Sequence, residues 1–391
     1  MPRRQCENWL KTLGHMSENT ESPPHFWLWS GVYTICSALT RGVWVPYGFD
    51  PVYPNIYVLF VAPPGKCRKG PPLSMAKRLL TAIQASISVD SSSKESLVKD
   101  LSDRISHIGD GEEIEACSPM AIISKELSSL LSVDAKKMIE VLIELYDAHD
   151  EWEHKVLSRG SDKIFGPCVS LFAATTPTYL AGNVPYESFG AGFFSRIIMV
   201  VGERKPKRVA IPEFTNEQAV MMADLKNDLN LIRQLRGPFI WEPEATEYFT
   251  AWYDKLDDKY TEIKDERFHG FIERAHLSVI KTAIALRVAY SDDLRFTVND
   301  VGQAIDLVED VFTGLPKAFS AMGRAETAID MDIIQKQIRS VGATTFSDLL
   351  NANWMNITEE TLLKIMHSLG KMKKISYTWK NGEYLIKWEG E

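Results

Sequence analysis

The sequence lacks several features that would decide its class at once. No run of residues approaches the ~18 consecutive apolar positions that a membrane-crossing helix needs, so no membrane association is expected. The first residues, Met1-Pro2-Arg3-Arg4-Gln5-Cys6-Glu7-Asn8, have no apolar stretch behind them and do not read as a signal peptide. The 5 cysteines (Cys6, Cys36, Cys67, Cys117, Cys168) are odd in number, scattered and never spaced C-x-x-C. That argues against a disulfide framework and against a zinc site. Internal repeats and low-complexity segments are absent as well. So is an excess of positive charge: 44 Lys+Arg stand against 52 Asp+Glu, a net charge of −8. A protein that coats nucleic acid by bulk charge is thereby excluded. A local basic surface is not, because phosphate contacts act within about a Debye length. What remains is an ordinary soluble composition, 45% hydrophobic and 25% charged, fitting the cytoplasm. The 391 residues suffice for two or three domains.

The chain opens with a short helix around Glu7–Leu13, broken by Ser22-Pro23-Pro24, and an apolar helix from Phe26 to Leu39. A strand reading comes next at Gly42–Pro46. From Asn55 the pattern alternates. Ile56-Tyr57-Val58-Leu59-Phe60-Val61 is a continuous apolar run, as in a strand buried on both faces of a parallel sheet. Helices at Leu73–Ala85 and Ala135–Ala148 alternate with strands at Met120–Ile123, Cys168–Ala174 and Ile197–Val201. This rhythm predicts an α/β fold with a parallel sheet. Four regions result: an N-terminal helical segment (1–54), an α/β core (55–210), a helical segment (211–325) and a small C-terminal domain (326–391). Helices are predicted at Asn216–Leu235, Glu244–Lys264, Phe271–Ala289 and Asn299–Phe319. In the last region helices precede a hairpin, Ile375–Trp379 and Tyr384–Trp388, joined through Asn381-Gly382, a strong hairpin signal. That order is the one of a winged helix.

The segment with most chemistry in it is Val61-Ala62-Pro63-Pro64-Gly65-Lys66-Cys67-Arg68-Lys69-Gly70-Pro71-Pro72. A strand runs into a Gly/Pro loop, then a lysine, then a helix. A phosphate site needs inward-turned backbone N–H groups, a helix N-terminus and a lysine that reaches the anion. Pro71 and Pro72 suit the first turn of that helix. The loop departs from the phosphate-loop consensus at three points. Arg68 stands where a glycine precedes the lysine, Gly70 replaces the Mg²⁺-binding Ser/Thr, and Pro63 takes the place of the first glycine. Alone, the loop reads equally as a structural turn carrying basic residues.

Together with the motifs downstream of it, the run Asn55–Gly65, Arg68-Lys69 and Ala76-Lys77 resembles the P-loop ATPases of phage and prophage replicative helicases, of the AAA+, superfamily-3-like type. The resemblance covers about residues 25–310. It implies that Pro64, Gly65, Lys66, Cys67, Arg68, Lys69 and Gly70 hold ATP with Mg²⁺. It likens Ile122-Ile123-Ser124-Lys125-Glu126 to the Walker B strand, with Glu126 polarising the attacking water and Lys125 standing where an aspartate often helps hold Mg²⁺. Ser170–Pro177 resembles the strand that ends in a polar sensor, Thr175 first and Thr176 next. Gly190–Arg196 resembles the arginine-finger segment, so Arg196 would reach the γ-phosphate in a neighbouring subunit. Where measured, such a finger is worth roughly 10³–10⁵ in rate. A homo-oligomeric ring, expected as a hexamer, with ATP at subunit interfaces is implied.

Between Asp150 and Phe165 a hairpin is expected, strands Glu151–Leu157 and Lys163–Phe165 with Ser158–Ser161 at its tip. In superfamily-3 helicases a hairpin here projects into the ring channel. Lys155, Arg159 and Lys163 would then meet single-stranded or forked DNA. Other features have plainer readings. His149 and His154 lack partners for a metal site, so none is expected. Trp27 and Trp29 read as core, and Lys371–Lys374 as a solvated run. Segment 328–391 carries 8 Lys/Arg and 8 Asp/Glu. The implied function is ATP-driven DNA translocation in phage or mobile-element replication inside a bacterial host. No primase or polymerase motif is present, so either would be a separate chain. The alternatives are an ATPase switch acting as initiator or helicase loader, and a degenerate ATPase that persists as a DNA-binding ring scaffold.

Overall fold

The computed structural model describes residues 3–88, 93–108, 115–132, 134–156, 160–183, 192–256, 258, 268–318, 326–354, 357–380 and 382–390. The chain divides into two compact units, Met1–Ala318 and Phe319–Glu391. The segments expected at 1–54, 55–210 and 211–325 therefore share one unit as far as residue 318.

Helix α1 (Trp9–Ser17) starts at Asn8, whose side chain accepts from Lys11 N. One face of it buries Trp9, Leu10, Leu13 and Met16. Helix α2 (Pro24–Leu39) begins at a proline and is apolar nearly all round, so it sits inside the molecule. Trp27 and Trp29 belong to that core. Next is the short strand β1 (Val43–Trp44). Strand β2 (Tyr57–Val61) has all five residues buried. After it come α3 (Gly70–Ala82), α4 (Lys94–Asp103), β3 (Ser106–Ile108), β4 (Glu115–Ser124), the single turn α5 (Leu127–Leu130) and α6 (Ala135–Tyr146). Strands β5 (Glu151–Val156) and β6 (Gly160–Phe165) form an antiparallel ribbon. Strand β7 (Pro167–Thr175), α7 (Pro177–Asn183) and β8 (Ile197–Val201) complete the α/β part.

The central sheet has the order β3-β4-β7-β2-β8. β4, β7, β2 and β8 are mutually parallel, and β3 is antiparallel to β4. Beyond β3, Ile87 makes a parallel bridge to Ala121 of β4. The chain thus visits β2 and then β4, and returns to lay β7 between them. The apolar β2 run is explained by this position: it has a strand on each side and helices on each face.

The rest of the unit is helical: α8 (Asn216–Ile232), α9 (Pro243–Tyr253), α10 (His269–Glu273), α11 (Ala275–Val288) and α12 (Val298–Ala318). Thr215 and Gln218 close a reciprocal capping box at the start of α8. The helix predicted over Glu244–Lys264 ends instead at Tyr253, and much of the remainder lies outside the described residues. The helix predicted over Phe271–Ala289 is broken at Arg274, whose backbone (φ −99°, ψ 4°) leaves the helical region. Two parallel pairs not anticipated from the sequence tie these helices to the N-terminal segment and to each other. They are β1 with β9 (Gly237–Pro238), and β10 (Ile240–Trp241) with β11 (Arg295–Phe296). The chain start is pinned too. The backbone N–H groups of Gln5 and Cys6 donate to the fully buried carboxylate of Asp228 in α8 at 2.8 Å each. One apolar cluster runs from Trp9 through Phe60 and Phe172 to Phe296 and Val311.

The second unit contains α13 (Glu326–Val341), β12 (Ala343–Thr345), α14 (Phe346–Asn353), α15 (Glu359–Lys371), β13 (Ile375–Lys380) and β14 (Glu383–Trp388). The predicted hairpin is present as β13–β14, and β12 adds a third antiparallel strand against β14. Thr345 and Thr358 cap α14 and α15 through their hydroxyls. Its own core includes Ile338, Leu349, Leu362, Ile365, Leu369 and Ile386.

Among the described residues, no helix is long and apolar enough to cross a membrane.

Candidate functional site

The C-terminal ends of parallel strands are where open α/β sheets bind ligands, above all where successive connections leave to opposite sides. β2 is such a strand. Its chain leaves toward β4, and β8 is its neighbour on the other side. Residues 62–69 form a loop there, and α3 begins at Gly70 with Pro71 in its first turn. Gly65 takes φ +69° with open space around its Cα, a conformation for which glycine carries no steric penalty.

Lys69 folds back over the strand ends. Its Nζ donates to the carbonyl oxygens of Ala62 and Thr175, both at 2.7 Å. The ammonium therefore sits where β2 and β7 finish. Burial pushes its pKa down, against the opposing pull of the Glu126 carboxylate. Glu126 is exposed at the end of β4, and Ser124 Oγ donates to its backbone oxygen at 2.8 Å. Because β7 lies between β2 and β4, the strand ends leading to Lys69 and Glu126 stand two inter-strand spacings apart, about 10 Å. That gap accommodates a phosphate group and a water.

An open cleft of about 710 Å³ joins these groups: Gly65, Cys67, Arg68, Lys69 and Gly70 on one side, Lys125 and Glu126 on another. Pro64 and Lys66 are exposed nearby. The remaining wall is one that the sequence does not announce. It consists of Thr20 and Glu21 together with Val209, Ala210 and Pro212. Glu21 ties it together, accepting from Arg68 Nε at 2.7 Å, Lys205 Nζ at 2.8 Å and Val209 N at 3.3 Å. The Lys205 and Arg68 hydrogen bonds hold its carboxyl down to about 2. Ser22 Oγ donates to Arg68 O at 2.6 Å. The one signal for this wall is the Glu203–Arg208 charge run, which reads in sequence as a linker. Beneath the loop, Cys67 packs on Gly202 and Phe26, and a Cβ on Gly202 would meet Phe26 Cζ at 2.5 Å. Burial raises the Cys67 thiol pKa, so it stays protonated.

The donor set suits a polyphosphate, since it offers a cation and an exposed loop backbone; in the first turn of α3, Pro71 and Pro72 have no N–H to add. It does not suit a magnesium ion held by this chain. Gly70 has no hydroxyl, Lys125 is a cation beside Glu126, and Glu21 is already taken by Arg68 and Lys205. Mg²⁺ favours carboxylate and phosphate oxygens in octahedral geometry, and of the two carboxylates lining the cleft among the described residues, Glu126 is the one not bonded to Arg68 and Lys205.

The other expected residues are placed differently. The side chain of Thr175 is buried, and it is the backbone oxygen that holds Lys69; Thr176 Oγ1 accepts from Tyr179 N at the start of α7. Arg196 stands in a 3-10 turn before β8. Ile197 pairs with Tyr57, so Arg196 lies beyond the start of β2, at the edge of the sheet away from the cleft. It is not an extended finger. It is buried, donating to Asp147 Oδ2 at 2.9 Å and Gly192 O at 3.0 Å. The reason is local: α6 ends at Tyr146, which delivers Asp147 to that spot. Beside them Lys281 of α11, 4% exposed, donates to Asn55 O at 2.7 Å and Asn55 Oδ1 at 2.8 Å. Its Nζ lies 4.4 Å from the centre of the Tyr146 ring. Burial pushes its pKa down to about 8.

The hairpin expected near Asp150–Phe165 is present as β5–β6, with strand ends at Val156 and Gly160. Lys155 lies in β5 opposite Ser161. Lys163 is exposed in β6 directly opposite Glu153. Arg159 lies outside the described residues. Both roots of the hairpin rest on Arg41, which is buried. It donates to Ala148 O at 2.6 Å, Asp150 Oδ1 at 2.5 Å and the Tyr53 hydroxyl at 2.7 Å, and it packs against Gly166.

Compared with known proteins, the chain matches no family model and no curated protein.

Proposed function

We propose that the chain is an ATP-hydrolysing, DNA-directed motor of the AAA+ replicative-helicase type, acting as a ring in the cytoplasm of a bacterial host. The observation that carries this reading is the convergence of Lys69 and Glu126 on one open cleft at the ends of parallel strands, with β7 spacing them apart. Lys69 would exchange its two carbonyl partners for β/γ-phosphate oxygens, and Glu126 would orient the attacking water. The second unit is read as a winged helix, with α15 and the β13–β14 wing available to DNA. The β5–β6 ribbon supplies a second candidate DNA contact at Lys155, Arg159 and Lys163.

The test is ATP turnover with and without single-stranded DNA, for the wild-type chain, Lys69→Ala and Glu126→Gln. DNA-stimulated turnover is expected in the wild type. Lys69→Ala should weaken nucleotide binding, and Glu126→Gln should keep binding but lose turnover. A second reading, a DNA-binding ring scaffold with a degenerate site, is favoured by the absent hydroxyl at Gly70 and by Lys125 beside Glu126. Intact DNA binding with no turnover at any protein concentration would select it.

A further inference from the structure

Another cavity opens at the opposite end of the sheet, beside Asn55, two residues before β2. It holds about 380 Å³. Its walls differ from those of the cleft. Three tyrosines, Tyr47, Tyr53 and Tyr146, border it together with Val52 and Leu277, and Lys281 is the buried cation among them. A concave, largely aromatic wall with few polar groups suits a planar organic ring.

Lys281 supplies the polar anchor. An ammonium has three N–H donors. Two of them go to Asn55 O and Asn55 Oδ1, both neutral oxygens. Of the two acids on the cavity, Asp147 is held by Arg196 at 2.9 Å, and Asp50 is exposed. One N–H therefore remains, against the face of the Tyr146 ring at 4.4 Å. An acceptor atom on a bound molecule gives that donor a stronger partner than the ring face does.

The mouth carries exposed aromatic rings. Val45 and Val52 exchange both backbone hydrogen bonds at 2.9 Å, which closes the loop between them. Gly48 turns this loop with φ +63°. Tyr47 lies against His276 with ring centroids 5.8 Å apart, and Phe49 at the tip is fully exposed. A phenylalanine held in water on a closed loop adds nothing to the core, but it gains when another ring is laid against it.

The cavity also adjoins the root of the β5–β6 ribbon. The Tyr53 hydroxyl accepts from Arg41, and the same guanidinium holds Ala148 O and Asp150 at that root. Lys163 stands three residues before Gly166, about 10 Å along the ribbon. A strand held at Lys163 has the cavity within reach.

We propose that this cavity receives one unstacked base of a single DNA strand, laid on Phe49 at the mouth, flanked by Tyr47 and hydrogen-bonded by Lys281. The proposal rests on reading the ribbon as a contact for single-stranded DNA. Every base has a flat face and an edge with acceptor atoms, so the site is tolerant of sequence. Phosphates are met along the ribbon, while at the cavity the base itself carries the contact.

The experiment measures binding of labelled oligo-dT by fluorescence anisotropy at pH 7, for the wild-type chain, Phe49→Ala and Lys281→Met. An oligomer of the same length made of abasic residues is run beside it, keeping the phosphates without the bases. Thermal unfolding reports that both variants are folded. Phe49→Ala should weaken oligo-dT binding about tenfold, the effect of one lost base stack, with the salt dependence unchanged. Lys281→Met should weaken it by about the same factor, through one lost charge-assisted hydrogen bond. Neither variant should change binding of the abasic oligomer. Wild-type affinity for oligo-dT in either variant, or an equal loss on both oligomers, overturns the proposal. A wild-type chain that binds neither oligomer overturns the DNA-contact reading itself, and this proposal with it.

Discussion

Replacing Lys281 by methionine isolates the energetic consequence of a buried cation. Lys281 is enclosed, and its pKa falls from the ordinary 10.5 to about 8. At about 1.4 kcal/mol per unit, burial penalises its charged form by about 3 kcal/mol. Below pH 8 the lysine is protonated in both the folded and unfolded chain, and the folded state carries the whole penalty. Between pH 8 and 10.5 the unfolded chain binds more protons than the folded one, so stability rises with pH. Above 10.5 the penalty is gone. The neighbouring thiols of Cys36 and Cys168 are pushed up to about 12 by burial, and they reverse the trend from about pH 9 upward. The informative window is therefore pH 7 to 9. Methionine fills the same stem but leaves the two Asn55 acceptors without a donor, at a cost of about 1–3 kcal/mol. At pH 7 the two effects nearly cancel, and the variant should lie close to the wild type. By pH 9 the wild type should have gained about 1 kcal/mol on it. Urea unfolding of both proteins at each pH, followed by tryptophan fluorescence, measures this. Parallel pH profiles for the two proteins would refute the assignment of a depressed pKa to Lys281.

Three further outcomes are expected. Gly202→Ala drives a methyl group into the buried Phe26 ring, which is stacked on Phe60 at 4.1 Å, so thermal unfolding should report a loss of about 1–3 kcal/mol. Because Cys67 borders the same spot, nucleotide affinity should fall in parallel; an unchanged melting temperature would contradict the packing. Arg41→Ala removes the support under both roots of the β5–β6 ribbon and should cost about 1–3 kcal/mol, with protease cleavage appearing between residues 150 and 166; a protected ribbon would show that Arg41 does not hold it. Glu21 has its folded pKa depressed, so its pairing stabilises the fold above the ordinary carboxyl range and is lost as pH falls through about 2. Glu21→Gln should therefore flatten the acid limb of the stability profile between about pH 4 and 2, and a limb identical to the wild type would count against the pairing with Arg68 and Lys205.

The parts of the fold that were legible in the sequence are those with a local cause. The β2 run is apolar at every position because it is covered on both faces, and α2 is apolar all round because it is internal. Gly382 lies between β13 and β14, where the Asn-Gly pair predicts a turn, and Pro71 marks the start of α3. The candidate site was half legible for the same reason. Gly65 and Lys69 stand in a Gly/Pro loop that follows an apolar strand run, and Glu126 is marked by the resemblance of its strand to a Walker B segment. The remainder depends on contacts between distant segments. Nothing near Pro167–Thr175 announces that β7 inserts between β2 and β4. The two-residue strands β9, β10 and β11 are too short to carry a period, and the strand reading at Gly42–Pro46 does not reveal the partner of β1. The Glu203–Arg208 charges look solvated until Glu21 is brought against Lys205. Arg196 resembles a free arginine because its partner, Asp147, lies 49 positions away.

The N-terminal helices are threaded through the unit. α1 lies against α8, the buried Asp228 holds the chain start, and β1 is stitched to β9. A lid hinged on one strip of chain can swing as a jaw. Here the helical part beyond residue 215 is fastened at its far side as well, so bending at the 203–208 segment alone cannot open it. Helices fastened in this way favour small sliding shifts over a hinge swing, as in shear motions. Such a slide is small at its origin, and it would be felt along the whole length of α2, the spar on which sheet and helices are both mounted.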